Sequence, residues 1–213
     1  MNRLSRAQMA ARVARDIPDG AYVNLGIGLP TTVANFLPAD KEIFLHSENG
    51  VLGMGPAPAP GQEDPDLINA GKQPVTLLTG GCYFHHADSF AMMRSGRLDV
   101  CVLGAFQVSV HGDLANWSTG EPGAIPAVGG AMDLAIGAKN VYVMMDLLSK
   151  SGESKLVGAC RYPLTGLGCV SRVYTDLGVF AVGAGGAQVI ETVDGMSLGD
   201  LQDLTDLPLA MAG

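Results

Sequence analysis

Residues 21–46 read AYVNLGIGLPTTVANFLPADKEIFLH, and this stretch decides the fold. It starts with an apolar run at 21–25 that is typical of a buried strand, and a glycine-rich turn follows directly. A short helix is expected at 32–36 and a second strand at 42–46. Parallel strands are connected through a helix, so the segment predicts one strand–helix–strand unit.

The same alternation continues along most of the chain. The further predicted elements are strands at 74–78, 99–103 and 141–145 and helices near 89–94 and 130–137. We therefore predict an α/β fold in which an open, mostly parallel sheet carries helices on both faces. A small antiparallel portion is expected at 106–110 and 170–193, where short strand patterns are separated by turns. Residues 1–213 are predicted to form a single domain.

Both ends of the chain carry signals for the start of a helix. Ser5 and Gln8 have the spacing of a capping box, and the helix that they begin is expected to stop at Pro18. Ser197 is the predicted cap of a final helix.

The proline-rich segment 54–66 is too long for a tight turn, so we expect an ordered loop there, beside Glu48.

The composition excludes several classes of protein. Charged residues make up 16% of the chain, well below the typical ~25%, and we interpret this as a surface that is largely covered by a partner protein. The formal net charge of −8 argues against nucleic acid as a partner. No stretch approaches the ~20 apolar residues of a membrane span, and no apolar secretion signal is visible, so we expect a cytoplasmic protein that does not bind membranes.

The four cysteines give no sign of a metal or redox centre. Cys82, Cys101, Cys160 and Cys169 lie far apart and lack the spacing of zinc ligands or of a dithiol motif. We interpret them as buried thiols and predict no metal site.

One carboxylate is distinguished by its position, namely Glu48 within FLHSENGVLG at 44–53. A strand-like run leads into it, and Asn49-Gly50 follows, a pair that tolerates positive φ and lets neighbouring backbone approach closely. This position suits a nucleophile. The alternative is a solvated loop carboxylate, which is the usual role of an acidic residue in a turn.

Several glycine-rich turns fall at the predicted carboxyl ends of strands, where parallel sheets bind their ligands. These turns are Gly26-Ile27-Gly28, Glu48-Asn49-Gly50, Gly80-Gly81 and Gly129-Gly130. We expect substrate contacts from Gly26, Gly28 and Asn49. The first turn lacks the third glycine of a dinucleotide fingerprint, so no nicotinamide cofactor is predicted. The alternative for each turn alone is that its glycines only close a connection.

Gly129-Gly130 precedes a predicted helix, whose first N–H groups are free to donate to a developing oxyanion. An acidic nucleophile that faces such donors suits acyl transfer.

Lys72 is a candidate for binding a carboxylate or phosphate, and the equal alternative is that it is an ordinary surface lysine. Asn24 ends a strand and is a candidate for contacting a substrate carbonyl or for capping the turn.

Two histidine positions are assigned structural roles. His46 lies two residues before Glu48, and we interpret it as a buried, hydrogen-bonded histidine. His85-His86 is interpreted as the start of a helix, because two adjacent residues do not point to one site.

The chain contains five motifs: Asn24-Leu25-Gly26-Ile27-Gly28, Ser47-Glu48-Asn49-Gly50, Ile68-Asn69-Ala70-Gly71-Lys72, Gly112-Asp113-Leu114-Ala115-Asn116-Trp117 and Gly129-Gly130-Ala131-Met132-Asp133. Together they resemble the class I CoA-transferases, and their order and spacing match from about Leu4 to the final helix. The likeness is to the B (β) subunit of the two-subunit 3-oxoacid and 3-oxoadipate enzymes. No segment resembles the A (α) subunit, so the resemblance implies half of an enzyme.

The resemblance implies that Glu48 is the nucleophile, that Gly129 and Gly130 stabilise the oxyanion, and that Asn24 and Lys72 contact substrate. It implies transfer of CoA from succinyl-CoA to a 3-oxoacid through a glutamyl-CoA thioester, with 3-oxoadipate as the favoured acceptor and acetoacetate as the alternative. CoA enters as a substrate, and no permanently bound cofactor is implied. The implied partner is an A subunit in a heterodimer or heterotetramer. An acyl-CoA hydrolase and a non-catalytic scaffold subunit stay open as alternatives.

Overall fold

The structure is a computed structural model that describes residues 2–120, 123, 125–126 and 129–213. Its helices are α1 Arg6–Asp16, α2 His86–Arg94, α3 Ala131–Gly137 and α4 Leu198–Thr205, with a 3₁₀ helix at Leu29–Phe36. Its strands are β1 Tyr22–Leu25, β2 Phe44–Ser47, β3 Val51–Met54, β4 Leu77–Tyr83, β5 Val100–Leu103, β6 Gln107–Ser109, β7 Leu114–Ala115, β8 Asn140–Met144, β9 Leu156–Val157, β10 Val170–Tyr174, β11 Gly178–Ala181, β12 Gln188–Thr192 and β13 Ala210–Met211.

Within these residues, ten strands form one sheet in the order β13-β12-β11-β10-β8-β5-β1-β2-β3-β4. The run from β10 to β2 is parallel throughout. At one end β2, β3 and β4 pair antiparallel, and at the other β10, β11 and β12 do the same. The predicted mostly parallel α/β sheet with an antiparallel portion is therefore confirmed.

Helices cover the two faces of the sheet, and each face has its own apolar core. Met9 and Val13 of α1 belong to a buried cluster that includes Val100 of β5. Met93 of α2 belongs to a second buried cluster that includes the next residue of the same strand, Cys101. Successive side chains of a strand point to opposite faces, so β5 supplies both cores in turn. Helices on both faces were predicted from the apolar strands, and the structure confirms them.

The helix starts follow the sequence signals closely. Ser5 caps α1 in a complete capping box with Gln8, and Ser197 caps α4 by accepting from the backbone N–H of Asp200. The helix expected at 32–36 is a 3₁₀ helix that begins earlier, at Leu29, with Pro30 in its first turn. Proline is favoured there because its ring presets φ and no N–H is needed.

The antiparallel strands differ from the sequence prediction in two respects. The strand expected at 74–78 runs instead over Leu77–Tyr83, because Pro74 has no N–H for a ladder and forms only an isolated bridge to Ile68. Its partner β3 was not predicted. The set at 170–193 was expected to be antiparallel, and β10, β11 and β12 pair in that way, while β10 also pairs in parallel with β8 and joins the set to the main sheet.

A smaller sheet of three strands, in the order β7-β6-β9, lies outside the main one. The antiparallel pairing of β6 with β7 confirms the hairpin expected after residue 106. The loop predicted at 54–66 begins one residue later than expected, after β3 ends at Met54, and it borders a cavity of about 340 Å³ together with residues of the 3₁₀ helix. No described helix combines the length and the apolar character that crossing a membrane would require.

The cysteine prediction is correct for one position and wrong for another. Cys101 is fully buried on β5, between β1 and β8, whereas Cys82 is exposed, because it lies on β4, the outermost strand of the sheet. Cys160 and Cys169 are half-buried.

Candidate active site

Glu48 occupies the tip of a tight hairpin at the edge of the parallel part of the sheet. β2 ends at Ser47, and the chain reverses through three turn residues so that Ser47 pairs with Val51 of β3. The turn closes through a 3.0 Å hydrogen bond from the Gly50 N–H to the Ser47 carbonyl oxygen. Gly50 has φ +108°, and a Cβ there would overlap the carbonyl oxygen of Phe84, so only glycine fits. The predicted placement of Glu48 in a turn after a strand is confirmed.

The Glu48 side chain borders a cavity of about 770 Å³. The cavity opens at the carboxyl ends of β1, β5 and β8, which contribute Gly26, Leu103, Gly104, Met144 and Met145 to its lining. Gly129 and Gly130 close it from the start of α3. The carboxyl ends of parallel strands are where such sheets bind ligands.

Glu48 and Gly130 are in direct contact. A Cβ at Gly130 would overlap Oε2 of Glu48 and would lie 3.4 Å from the ring of Phe90. Gly130 is the residue that caps α3, so the carboxylate lies against the start of that helix. The structure thus brings together four of the predicted site residues: Glu48, Gly26, Gly129 and Gly130.

The environment of Glu48 favours its protonated form more than water does. The side chain is half-buried, and this burial raises the pKa of Glu48. The nearby His86 opposes the shift, and the negative charge of Asp133 reinforces it. Asp133 itself forms a 2.6 Å ion pair with Arg94, which links α3 to α2. A partly dehydrated carboxylate is more reactive toward an acyl carbon because less water must leave it.

The other four predicted residues do not line this cavity. Gly28 precedes the 3₁₀ helix with φ +94°, and Lys72 is exposed with φ +61°. Asn49 donates from Nδ2 to the Ile68 carbonyl oxygen over 2.7 Å. Asn24 is only 2% exposed, and its amide is hydrogen-bonded to His46. The predicted substrate contacts of these residues stay predictions.

His46 is a buried histidine, as expected. It is 2% exposed, and desolvation lowers the pKa of His46 to about 4, so the ring is neutral near pH 7. The His85 side chain accepts from the Ala87 N–H over 3.1 Å and caps α2, which confirms the predicted start of a helix.

One prominent lining residue, Lys155, was not predicted from the sequence. It is the only cation among the described residues that line the cavity, and burial lowers its pKa. Lys155, Phe106 and Asp146 also line a neighbouring cavity of about 760 Å³, whose further residues include Arg3, Arg6 and Lys150. Lys155 follows the polar stretch 149–154, which reads as a solvated loop, so no local signal marks it.

The chain belongs to the coenzyme A transferase family, whose model matches residues 6–201. It is 69% identical to the B subunit of the 3-oxoadipate CoA-transferase of Pseudomonas putida over 207 residues, which cover 97% of each chain. It is 46% identical to the B subunit of the probable succinyl-CoA:3-ketoacid coenzyme A transferase of Bacillus subtilis, over 98% of this chain and 96% of that one.

A solved acyl-CoA transferase from Escherichia coli O157:H7 has the same fold. It superposes with a TM-score of 0.76 at 21% identity, over 98% of this chain and 42% of that chain. The protein is thus a CoA-transferase by family, and its fold is that of other CoA-transferases. Among the described residues, no group of three or more His, Cys, Asp or Glu side chains is arranged to hold a metal ion.

Proposed function

We propose that this chain is the nucleophile-bearing B subunit of a cytoplasmic enzyme that transfers CoA from succinyl-CoA to 3-oxoadipate. The observation that carries the proposal is the half-buried carboxylate of Glu48, held against Gly130 in a cavity at the strand ends. The choice of acceptor is supported by the 69% identity to the B subunit of a 3-oxoadipate CoA-transferase, against 46% for the 3-ketoacid enzyme.

In the first half-reaction, an oxygen of the Glu48 carboxylate attacks the thioester carbonyl carbon of succinyl-CoA and expels the CoA thiolate. The product is a mixed anhydride between succinate and Glu48. The thiolate then attacks the glutamyl carbonyl carbon, succinate leaves as a carboxylate, and a glutamyl-CoA thioester remains. Donors at Gly129 and Gly130 would stabilise the negative oxygen that develops in each addition.

The second half-reaction runs the same steps in reverse. The acceptor carboxylate attacks the glutamyl thioester and releases the CoA thiolate, which then attacks the acyl carbon of the new anhydride. Glu48 leaves as a free carboxylate, and the acceptor becomes the new CoA thioester. Every bond that is broken is matched by one that forms, so the exchange requires no metal, ATP or redox cofactor.

Both covalent intermediates hydrolyse readily, so the cavity needs a cover that excludes water. Ile27 lines the cavity and is 61% exposed, and Ile125, which adjoins the lining residue Pro126, is 92% exposed. Apolar side chains around the mouth of a cavity are typical of a contact surface. We propose that the A subunit covers this mouth in a heterodimer or heterotetramer.

The test is to trap the intermediate in the co-expressed A–B complex. Incubation with succinyl-CoA and no acceptor, followed by borohydride, should reduce the activated glutamyl carbonyl and leave ordinary carboxylates unchanged. Mass spectrometry is expected to find a mass change only in the peptide that contains Glu48. An unmodified peptide in a complex with full transferase activity would contradict the mechanism.

The same samples separate the alternatives. A hydrolase would release CoA continuously without an acceptor, and a scaffold subunit would keep full activity after Glu48→Ala. Comparing kcat/KM for 3-oxoadipate and acetoacetate then identifies the acceptor. We expect 3-oxoadipate to be the preferred acceptor. A preference for acetoacetate would contradict this choice and identify the shorter 3-oxoacid as the acceptor.

A further inference from the structure

A hydrogen-bonded chain of buried side chains lies beneath the turn that carries Glu48, and it starts at Asn24. The Asn24 Nδ2 lies 2.9 Å from Nδ1 of His46 and 3.2 Å from the backbone carbonyl oxygen of His46. A carbonyl oxygen only accepts, so the amide nitrogen of Asn24, and not its oxygen, must face it. Both amide hydrogens of Asn24 are then used within the protein, and neither is left for a substrate.

The orientation of Asn24 fixes the next two donors. Because Nδ1 of His46 accepts from Asn24, the neutral ring carries its hydrogen on Nε2, which donates to Oγ of Ser89 over 3.0 Å. The Ser89 hydroxyl is then free to donate to the carbonyl oxygen of Ser47, 3.4 Å away. Every bond in the chain points the same way, from Asn24 toward Ser47.

The chain ends on the group that closes the catalytic turn. The Ser47 carbonyl oxygen accepts from Ser89 and also from the Gly50 N–H, at 3.0 Å. Ser47 is bonded to Glu48, so this carbonyl belongs to the peptide unit from which the nucleophile extends. Asn24, His46 and Ser89 are 2%, 2% and 0% exposed, and none of them lines the cavity that Glu48 borders.

The segment at 68–70 braces the same turn from its other side. The Ala70 N–H donates to Oγ of Ser47 over 3.1 Å, and Asn49 donates to the Ile68 carbonyl oxygen over 2.7 Å. The residues on both sides of Glu48 are therefore anchored, while its own side chain extends into the cavity. A nucleophile held in this way loses little further freedom when it reaches the reacting carbon.

We propose that Asn24, His46 and Ser89 are positioning residues that set the line of attack of Glu48, and that Asn24 is not a substrate contact. The proposal rests on the proposed function, in which Glu48 is the nucleophile. It requires a neutral His46, because a proton on Nδ1 would face the N–H of Asn24. The burial that keeps the His46 pKa low supports this requirement.

The test uses Ser89→Ala in the co-expressed A–B complex, because this change removes the last donor without touching the cavity. We expect kcat and the rate of adduct formation with succinyl-CoA to fall about tenfold or more, with KM for both substrates within about twofold of wild type. His46→Gln keeps a neutral donor near Nε2 and is expected to retain more activity than His46→Leu.

Ser109→Ala is the matched control. Ser109 is another fully buried serine, and its hydroxyl donates to Asp113 over 2.9 Å in the smaller sheet. We expect this variant to lose thermal stability and to keep kcat. Two results would show that Ser89 has no positioning role. In the first, Ser89→Ala keeps kcat within about twofold of wild type. In the second, Ser109→Ala loses as much Tm as Ser89→Ala and also as much kcat.

Asn24→Ala separates positioning from substrate contact. A positioning residue lowers kcat, whereas a substrate contact raises KM for succinyl-CoA or for the acceptor with little change in kcat, and that second result would overturn the proposal. Glu48→Ala is measured in parallel. An active Glu48→Ala complex would reject the proposed function, whereas an inactive one beside a fully active Ser89→Ala complex would reject only the positioning chain.

Discussion

At the scale of single residues, the charged carboxylate of Glu48, the proposed nucleophile, lowers the stability of the fold. Burial raises the pKa of Glu48 above its ordinary 4.5, so the folded protein holds the proton more tightly than the unfolded chain does. The charged form is therefore destabilising at pH values above the folded pKa. This destabilisation shrinks as the pH falls from the folded pKa toward the ordinary value and is gone below it, where both states are protonated.

We expect Glu48→Gln to be inactive yet more stable than wild type at pH 7, because the amide resembles the protonated acid and carries no charge to bury. The stability difference should shrink toward zero as the pH falls below the ordinary pKa of 4.5. Chemical denaturation of the complex at several pH values measures it. A variant that is less stable than wild type at pH 7 would show that the charged form of Glu48 is stabilised in the fold.

Lys155 should contribute to substrate binding, because it is a partly buried cation that borders both the Glu48 cavity and its more basic neighbour. We expect Lys155→Met to raise KM about tenfold and to lower kcat less. If only KM for the acyl-CoA rises, Lys155 binds a phosphate of CoA. If KM for the acceptor rises as well, it binds a carboxylate.

Lys139→Met is the control for Lys155→Met. Lys139 pairs with Asp99 over 2.7 Å at the amino ends of the strands, away from the cavity. An exposed pair of this kind contributes at most about 1 kcal/mol, so both kinetic constants should stay near those of wild type. Equal effects of the two substitutions would mean that overall charge, and not a site at Lys155, controls binding.

At the scale of secondary-structure elements, the contact between the start of α3 and the β2–β3 hairpin decides whether the site can form. A Cβ at Gly130 would overlap Oε2 of Glu48. We expect Gly130→Ala to displace the carboxylate and to lower kcat about a hundredfold while the complex still folds. Gly185→Ala, in the open turn between β11 and β12, adds the same methyl group in free space and should leave kcat unchanged.

Local signals predicted most elements, and long-range pairing explains those that were missed. Ser5 and Ser197 marked helix starts because a cap acts on residues only a few positions away. β3 was missed because it is only four residues long and contains Gly53, which weakens its strand signal; it becomes a strand through pairing with β2 and, further along the chain, with β4. The position of Glu48 was predictable from its own turn, whereas Lys155 reaches the cavity through tertiary packing that its neighbours do not encode.

At the scale of the whole molecule, the stability of the fold should depend on pH through His46. Burial lowers its pKa from 6.5 to about 4, so between these values the unfolded chain binds a proton that the folded protein does not. The neutral His46 ring makes its full contribution to the free energy of unfolding above pH 6.5. As the pH falls from 6.5 to about 4, the free energy of unfolding decreases by up to about 3 kcal/mol.

His46→Gln has no titrating ring, so its stability should fall less than that of wild type between about pH 7 and pH 4. Glu48 changes the stability in the opposite direction over this pH range, but both proteins contain it. Subtracting one denaturation series from the other therefore removes the contribution of Glu48. Parallel curves for the two proteins would show that the pKa of His46 is the same in the folded and unfolded states, as for a ring exposed to solvent.

The three-residue turn between β2 and β3 has a consequence for how the gene can change in length. Side chains in strands alternate between faces, so one codon inserted at 48–50 would shift the pairing of Ser47 with Val51 and move Glu48 away from Gly130. The part of the long loop at 57–66 lies in no strand and has room for extra residues. Insertions and deletions among descendants of this gene should therefore collect in the long loop and be purged from the turn.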